Sequence, residues 1–571
     1  MNDKSRPAGE QGSRIGITNI LAIIVLAICF IISFLHVLET DEKTDTDVVQ
    51  VHVVHWQLEA GFREAFDVIA RGFEETYEAQ TGQRVSIVQN ALTERVYKQF
   101  VQTQGMGGTL PDLVQLGRDE EGSVPRFFLS NTQHVRQPNP YNVGTDLEGV
   151  PWMDTYLDGM IGSVDKTDLE YYGAPSSTLS VRLFYNKRIL REALGSDDPP
   201  SSYREFLAAC ERLRQWAAAT GRDGFMPIAA SRYQVDMFQG AKASTLQRFM
   251  LQHDYDHDGM FGENDELLFA FAGGDFDYHD PAIRADALTL ARITEYFPAG
   301  FMAMERMEAQ FRFTQGQSAF CASGSWDANS FTGEVDFPMG IVDFPRPDRD
   351  DPEFGGHVTG RVSEANVVAV FRLGISRRSP NPDVALAFLQ YLTSQKINEQ
   401  FNMLCRWPPA IRGAKPHPLM EPFVRDPDGF WTANVFRLIA NGPANAIYTQ
   451  ARWELMEHKI SYDQFAETVE AELPRALAQE FERLLDRDRQ DRLTLNMGLS
   501  YQHVVDLFGS GQNQDAGSEA THAKAAFLWE SRMQRFRNGH RLYRWQELID
   551  RGEPKALQIQ RHIRAELSEA G

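Results

Sequence analysis

An α/β fold, preceded by a transmembrane helix and followed by a helical extension, is what this 571-residue sequence predicts. Three observations carry that expectation. Strand-like and helix-like segments alternate from residue 48 onward, a charge-free apolar run occupies residues 15–38, and the pattern beyond residue 512 is helical. Domains usually run to roughly 100–200 residues, so this length implies three or four structural units, or two large lobes with appendages.

Residues 1–14 carry Lys4, Arg6 and Arg14, and no Asp, Glu, Lys or Arg occurs from Ile15 to Leu38. As a helix those residues would extend about 36 Å, enough to cross a hydrocarbon core of roughly 30 Å. Glu39, Asp41, Glu42, Asp45 and Asp47 follow, in a short acidic linker over 39–47. Positive charge before the span and negative charge after it leave the N-terminus in the cytoplasm and the body outside. The expectation is a single-pass protein of the cytoplasmic (inner) membrane with its body on the periplasmic side. A cleaved signal peptide competes with it, but the apolar run is long for one and no small-x-small site follows. A lipoprotein box at Leu26-Ala27-Ile28-Cys29 is weaker, with bulky Ile28 before the cysteine.

Val48–Trp56 is rich in β-branched residues and reads as a strand. Phe62, Phe66, Ile69, Phe73 and Tyr77 then step by three and four along one helical face. Arg84–Val88 is a second strand, a helix carries Val96, Tyr97, Phe100 and Val101, and Leu110–Leu116 is a third strand. Such alternation predicts a parallel, helix-flanked sheet. Further on, Ser202-Tyr203-Arg204-Glu205 is a capping box, and Asn381-Pro382 opens a helix through Ala385, Phe388, Leu389 and Leu392. Gly509-Ser510-Gly511-Gln512 reads as a joint, so 48–508 forms the body. Residues 509–571, with Leu528, Trp529, Met533, Phe536 and Trp545, form a helical tail.

The formal charge of −22 argues against a nucleic-acid partner, because phosphate recognition needs concentrated Lys and Arg. No two of Cys29, Cys210, Cys321 and Cys405 form a CxxC pair, which excludes a zinc knuckle. Cys210 lies on an apolar helical face with Phe206, Leu213 and Ala217 and reads as core. A Cys321–Cys405 disulfide is left open, since sequence cannot establish its geometry.

A set of short pieces then carries a resemblance. They are His55-Trp56, Phe73-Glu74, Gly107-Gly108-Thr109-Leu110-Pro111-Asp112, Gly173-Ala174-Pro175, Leu183-Phe184-Tyr185-Asn186-Lys187 and Pro199–Glu205. After them come Phe313-Thr314-Gln315-Gly316-Gln317, Gly324-Ser325-Trp326, Asn381–Ser394 and Arg406-Trp407-Pro408-Pro409. In this order over residues 48–415 they resemble the extracellular solute-binding proteins of ABC transporters, in particular those that bind oligosaccharides. The resemblance implies a two-lobed, periplasmic-binding-protein-like fold with ligand in the interlobe cleft. It implies no catalysis, a small solute that is a sugar, and a transporter permease as partner. The stretch 416–571 departs from a minimal member, and its role stays open.

Candidate ligand contacts are weighed against packing. Trp326 follows two small residues that let the backbone approach a ligand, and its flat indole suits the C–H face of a sugar. Trp56 stands at the carboxyl end of the first strand, where open α/β sheets place ligands. Trp407 lies in the late piece of the resemblance, Tyr185 offers a hydroxyl, and Gln115 is a polar candidate on the third strand. Arg182 and Arg361 are candidate donors to hydroxyls or an anionic group. The competing account of each is a core ring or a surface arginine.

One further motif lies apart from these. Asp254, Asp256 and Asp258 stand at positions 1, 3 and 5 of a calcium-type loop over 254–265, with Gly259 at 6, Met260 offering a backbone carbonyl and Asp265 at 12. Asp265 replaces the usual Glu, and the expectation is a structural Ca²⁺ site stiffening an insertion. Two other functional classes are carried: a membrane-anchored sugar sensor or scaffold, and a carbohydrate-active enzyme using paired carboxylates. Against the enzyme, the chain has no GxSxG elbow, P-loop or HExxH.

Overall fold

The computed structural model describes residues 48–117, 124–160, 163, 170–253, 270–271, 274–364, 368–426, 428–430, 443–477, 479, and four isolated positions near the C-terminus. The described chain divides into two compact units. One holds the start of the first strand up to Val51 together with Ala70–Val88; the other holds His52–Ile69 and the chain from Gln89 onward. In the small unit the Glu74 carboxylate accepts from the Ile87 amide at 2.7 Å, and Phe73 packs on Tyr77 with ring centroids 5.3 Å apart.

A first sheet has the order β2-β1-β3-β9-β4, with β1 at Val48–His55, β2 at Arg84–Ala91, β3 at Leu113–Gln115, β4 at Gly173–Leu179 and β9 at Val368–Ile375. Helices α1 (Phe62–Thr81) and α2 (Glu94–Gly107) follow β1 and β2. The predicted apolar stripe of α1 is buried: Phe62, Phe66 and Ile69 are almost fully covered, as hydrophobic side chains at three- and four-residue spacing must be on a core-facing helix. β1 and β3 are parallel as expected, but β9 runs antiparallel to β3 and β4. The sheet is therefore mixed: its last strand is supplied by chain that returns after a second sheet has been built.

That second sheet has the order β6-β7-β5-β8, with β5 at Val181–Asn186, β6 at Met226–Ala229, β7 at Ser318–Gly324 and β8 at Met339–Val342. Only Ser180 separates β4 from β5, so one nearly continuous extended segment serves both sheets. Helices α3 (Lys187–Leu194), α4 (Tyr203–Thr220), α5 (Arg232–Met237), α6 (Pro281–Thr294), α7 (Arg306–Thr314) and α8 (Ala328–Glu334) belong to this part. Cys210 lies on the buried face of α4 with Phe206, Leu213 and Ala217, as its spacing indicates. Helices α9 (Pro382–Leu392) and α10 (Gln395–Cys405) follow β9.

Past residue 442 the chain does not leave this core. Helix α11 (Pro443–Met456) and the helix over 462–477 place Tyr448, Leu455, Phe465, Val469 and Leu473 in the same apolar cluster as Leu183, Phe206 and Phe320 of the second sheet and its helices. Tyr462 donates to the Tyr278 carbonyl at 2.6 Å, and Thr294 Oγ1 donates to that of Met456 at 2.9 Å.

Several expectations change here. Among the described residues no helix is long and apolar enough to cross a membrane, so the transmembrane helix and the single-pass membrane location are withdrawn from the account. Residues 15–38 lie outside the described residues, as does the tail over 509–571 except at isolated positions. Among the described residues no group of three or more His, Cys, Asp or Glu could hold a metal ion, which does not bear on the calcium-type loop. The loop with Asp254, Asp256, Asp258, Met260 and Asp265 lies outside the described residues. Cys210, Cys321 and Cys405 are free and buried, so the disulfide is not formed.

Candidate functional site

The carboxyl end of β1 is fixed before the chain turns into α1. His55 is wholly buried among Phe62, Phe66 and Phe371, with ring centroids 5.6–5.8 Å away. Its Nδ1 accepts from the Gln57 amide at 3.1 Å, which leaves Nε2 to donate to Gln89 Oε1 at 3.0 Å. Burial depresses the imidazole pKa to about 4. Neutral His55 thus holds the loop over residues 56–61 in place.

Trp56 and Gln115 are brought together. Gln115 is buried, and its Oε1 accepts from the Trp56 amide at 3.3 Å. Trp56 is half-buried and meets Tyr97 edge-on at 4.8 Å. Gln115 is a positioning group for the loop.

Glu59 was missed by the sequence reading and is the most unusual member of that loop. Its Oε2 is buried and makes no hydrogen bond among the described residues. Burial raises its carboxyl above the ordinary range; hydrogen bonds from the Glu59 and Leu58 amides oppose the shift, the Asp327 charge adds to it and Arg306 opposes it. Asp327 and Arg306 come from the second sheet's surroundings. Arg306 opens α7 and gives two hydrogen bonds to the Asp327 carboxylate, at 2.9 and 2.7 Å. Asp327 is held further by Gln310 Nε2 at 2.6 Å and by the Ser323 hydroxyl. The guanidinium lies over Tyr233 at 4.7 Å and beside Trp326 at 5.9 Å. Arg306 Nε and Ser325 Oγ are also buried without a hydrogen-bond partner among the described residues.

Trp326 sits in a 3-10 turn directly after β7, half-buried. Its indole is laid over Gly324, where a Cβ would stand 2.1 Å from a ring carbon. Glycine is needed there for the ring to lie flat on the chain. One residue group ties the two sheets' loops together at this place. Asn329 Nδ2 donates to the Ala60 carbonyl at 2.8 Å, while Arg406 Nη1 donates to Asn329 Oδ1 at 2.7 Å.

The remaining candidates are engaged elsewhere. Trp407 is buried against Phe62, with centroids 5.2 Å apart, beside the Phe62–Phe401 contact. Tyr185 is buried in the second sheet's core and rests on Gly340, where a Cβ would meet its ring at 2.1 Å. Arg182 is buried and clasps Glu364 through two bonds of 2.8 Å, with Nε donating to the Pro422 carbonyl at 2.7 Å. Arg361 is exposed and pairs with Asp426 at 2.6 Å. Sequence signals for the missed residues were positional only: Glu59 lies three residues past Trp56, and Asp327 adjoins Trp326.

The comparisons agree with this architecture. A curated relative, the galactooligosaccharide-binding protein of Bacillus subtilis (strain 168), is 19% identical over 322 residues, 56% of this chain. The aligned part spans 64% of that relative, just under two thirds of its length. A solved chitin oligosaccharide binding protein is 16% identical with a TM-score of 0.51, covering 76% of this chain and 100% of that one. The apo form of RafE from Streptococcus pneumoniae is 14% identical with a TM-score of 0.51, covering 76% and 98%. At such identities the solved structures speak to the fold alone. The family match runs over residues 74–428 against the bacterial extracellular solute-binding proteins, a family of binding proteins rather than enzymes. An α/β body of two sheets, an indole over a glycine turn, and this match over most of the described chain together make the protein a member of the bacterial extracellular solute-binding proteins.

Proposed function

We propose that the solute is a carbohydrate and that the protein supplies it to an ABC transporter outside the cytoplasm. The observation that supports this most is the pairing of the Trp326 indole, a flat apolar face over Gly324, with three buried polar atoms that have no hydrogen-bond partner among the described residues: Glu59 Oε2, Arg306 Nε and Ser325 Oγ. A sugar has the complementary surface, an apolar C–H face edged by hydroxyls that donate and accept. Buried groups of this kind discriminate strongly, since a ligand that leaves them unpaired bears their desolvation cost. The name of the Bacillus subtilis relative, a galactooligosaccharide-binding protein, points the same way. A transporter follows from the family, whose members deliver solutes to permeases.

A thermal-shift screen of the full chain against oligosaccharides, polyols, amino acids and peptides tests the reading. Binding to the native state raises stability by RT ln(1 + [L]/Kd), about 2.7 kcal/mol at 100 times Kd. Stabilisation confined to carbohydrates is expected. Stabilisation confined to amino acids or peptides would overturn it.

A further inference from the structure

Resting on the carbohydrate reading, we infer that Glu59 sets the charge class of the solute, admitting neutral or amino-bearing sugars and excluding sugar acids. Arg306 is the cation facing these carboxylates, and its Nη2 donates to both oxygens of Asp327, so its charge is paired with a carboxylate of its own surroundings. Gln310 and Ser323 hold Asp327 in that arrangement, so it is not free to swing aside for an incoming anion. Arg406, the other guanidinium at this loop, donates to Asn329, so the group of Arg306, Asp327 and ionised Glu59 sets one guanidinium against two carboxylates and carries one excess negative charge.

Glu59 is the carboxylate without a cation of its own. Its Oε2 is covered and unpartnered, and an ionised carboxylate only accepts hydrogen bonds. What meets it must therefore donate. A hydroxyl does so without charge, and an ammonium also neutralises the excess, whereas a uronate brings a second negative charge into a place screened from water, where like charges repel strongly. Arg306 Nε and Ser325 Oγ can still serve a neutral hydroxyl as donors, so the site need not lose bonding to the sugar while rejecting the acid.

Calorimetric titration at pH 8 of the full chain tests this with neutral, amino and uronate trisaccharides of the gluco and galacto series. Wild type should bind a neutral or amino member at least about ten-fold more tightly than the matching uronate, ten-fold being what ~1.4 kcal/mol represents. Glu59→Gln removes the charge at nearly constant shape and should shrink that ratio by about ten-fold, whereas Glu59→Asp keeps the charge and should largely keep the ratio. A merely structural Glu59 would lower all affinities alike in both variants, and an unchanged ratio in Glu59→Gln overturns the inference. Equal binding of uronate and neutral sugars by wild type overturns it too, while leaving the carbohydrate reading in place. If no member of the panel binds, both readings fall together.

Discussion

The Trp326 indole rests on Gly324 and keeps one part of its surface uncovered, so removing it takes away a contact face without opening the core. Trp326→Ala should weaken sugar binding by roughly 1–3 kcal/mol, about five- to over a hundred-fold, with little change in a denaturant melt. Trp407 predicts the reverse pattern. It is buried against Phe62, and Trp407→Ala should cost about 3–5 kcal/mol of folding stability while the folded fraction keeps its affinity. The sequence offered the two rings on nearly equal terms, since each follows a local motif and neither motif says what lies beneath the ring. Glu59 was illegible for a related reason: one acid among 79 Asp and Glu becomes informative only when burial and the distant Arg306–Asp327 pair are known. His55 makes a prediction in pH. Its folded pKa, near 4 against an ordinary 6.5, keeps it neutral where the unfolded chain's imidazole takes a proton. Its contribution is complete above about pH 6.5, falls as pH drops toward 4, and is level below that, amounting to about 3 kcal/mol. Urea melts across this range should show that loss, and His55→Gln should flatten it.

Strands and helices with strong periodicity were legible because burial follows local spacing, as along α1 and α4. What joins the elements was not, because it depends on residues far apart in the chain. Arg182 on β5 looked like a ligand donor, yet its guanidinium is committed to Glu364, 182 residues later. Arg425 braces the same spot, with Nε donating to the Leu179 carbonyl at 3.1 Å. This group of charges surrounds Ser180, where one sheet passes into the other, and Ser180 itself donates to the Phe423 carbonyl at 2.8 Å. Breaking it should be expensive, since a buried arginine would lose both short carboxylate bonds and keep only Asp343 at 3.6 Å: Glu364→Ala should cost about 3 kcal/mol in a denaturant melt. The direction of β9 was also beyond local reading, because a strand's own pattern does not say whether its neighbours run with it or against it.

For the molecule as a whole, the alternation of elements and the order of short motifs identified the family over residues 48–415, and the family match covers 74–428. Residues 443–477 complete the second sheet's apolar core, so a chain ending at residue 442 would expose Leu183, Phe206 and Phe320 neighbours to water. Such a truncation should yield a chain without a cooperative melt, measured against the full chain by circular dichroism. The central claim, a carbohydrate received by the cluster around Trp326 and Glu59, is tested most directly by calorimetric titration of the full chain with neutral oligosaccharides of galactose and of N-acetylglucosamine. The account predicts saturable binding at one site for at least one of them, weakened about five- to over a hundred-fold by Trp326→Ala, with the sugar recovered unchanged. Absence of binding to every oligosaccharide, or binding that Trp326→Ala leaves untouched, would contradict it.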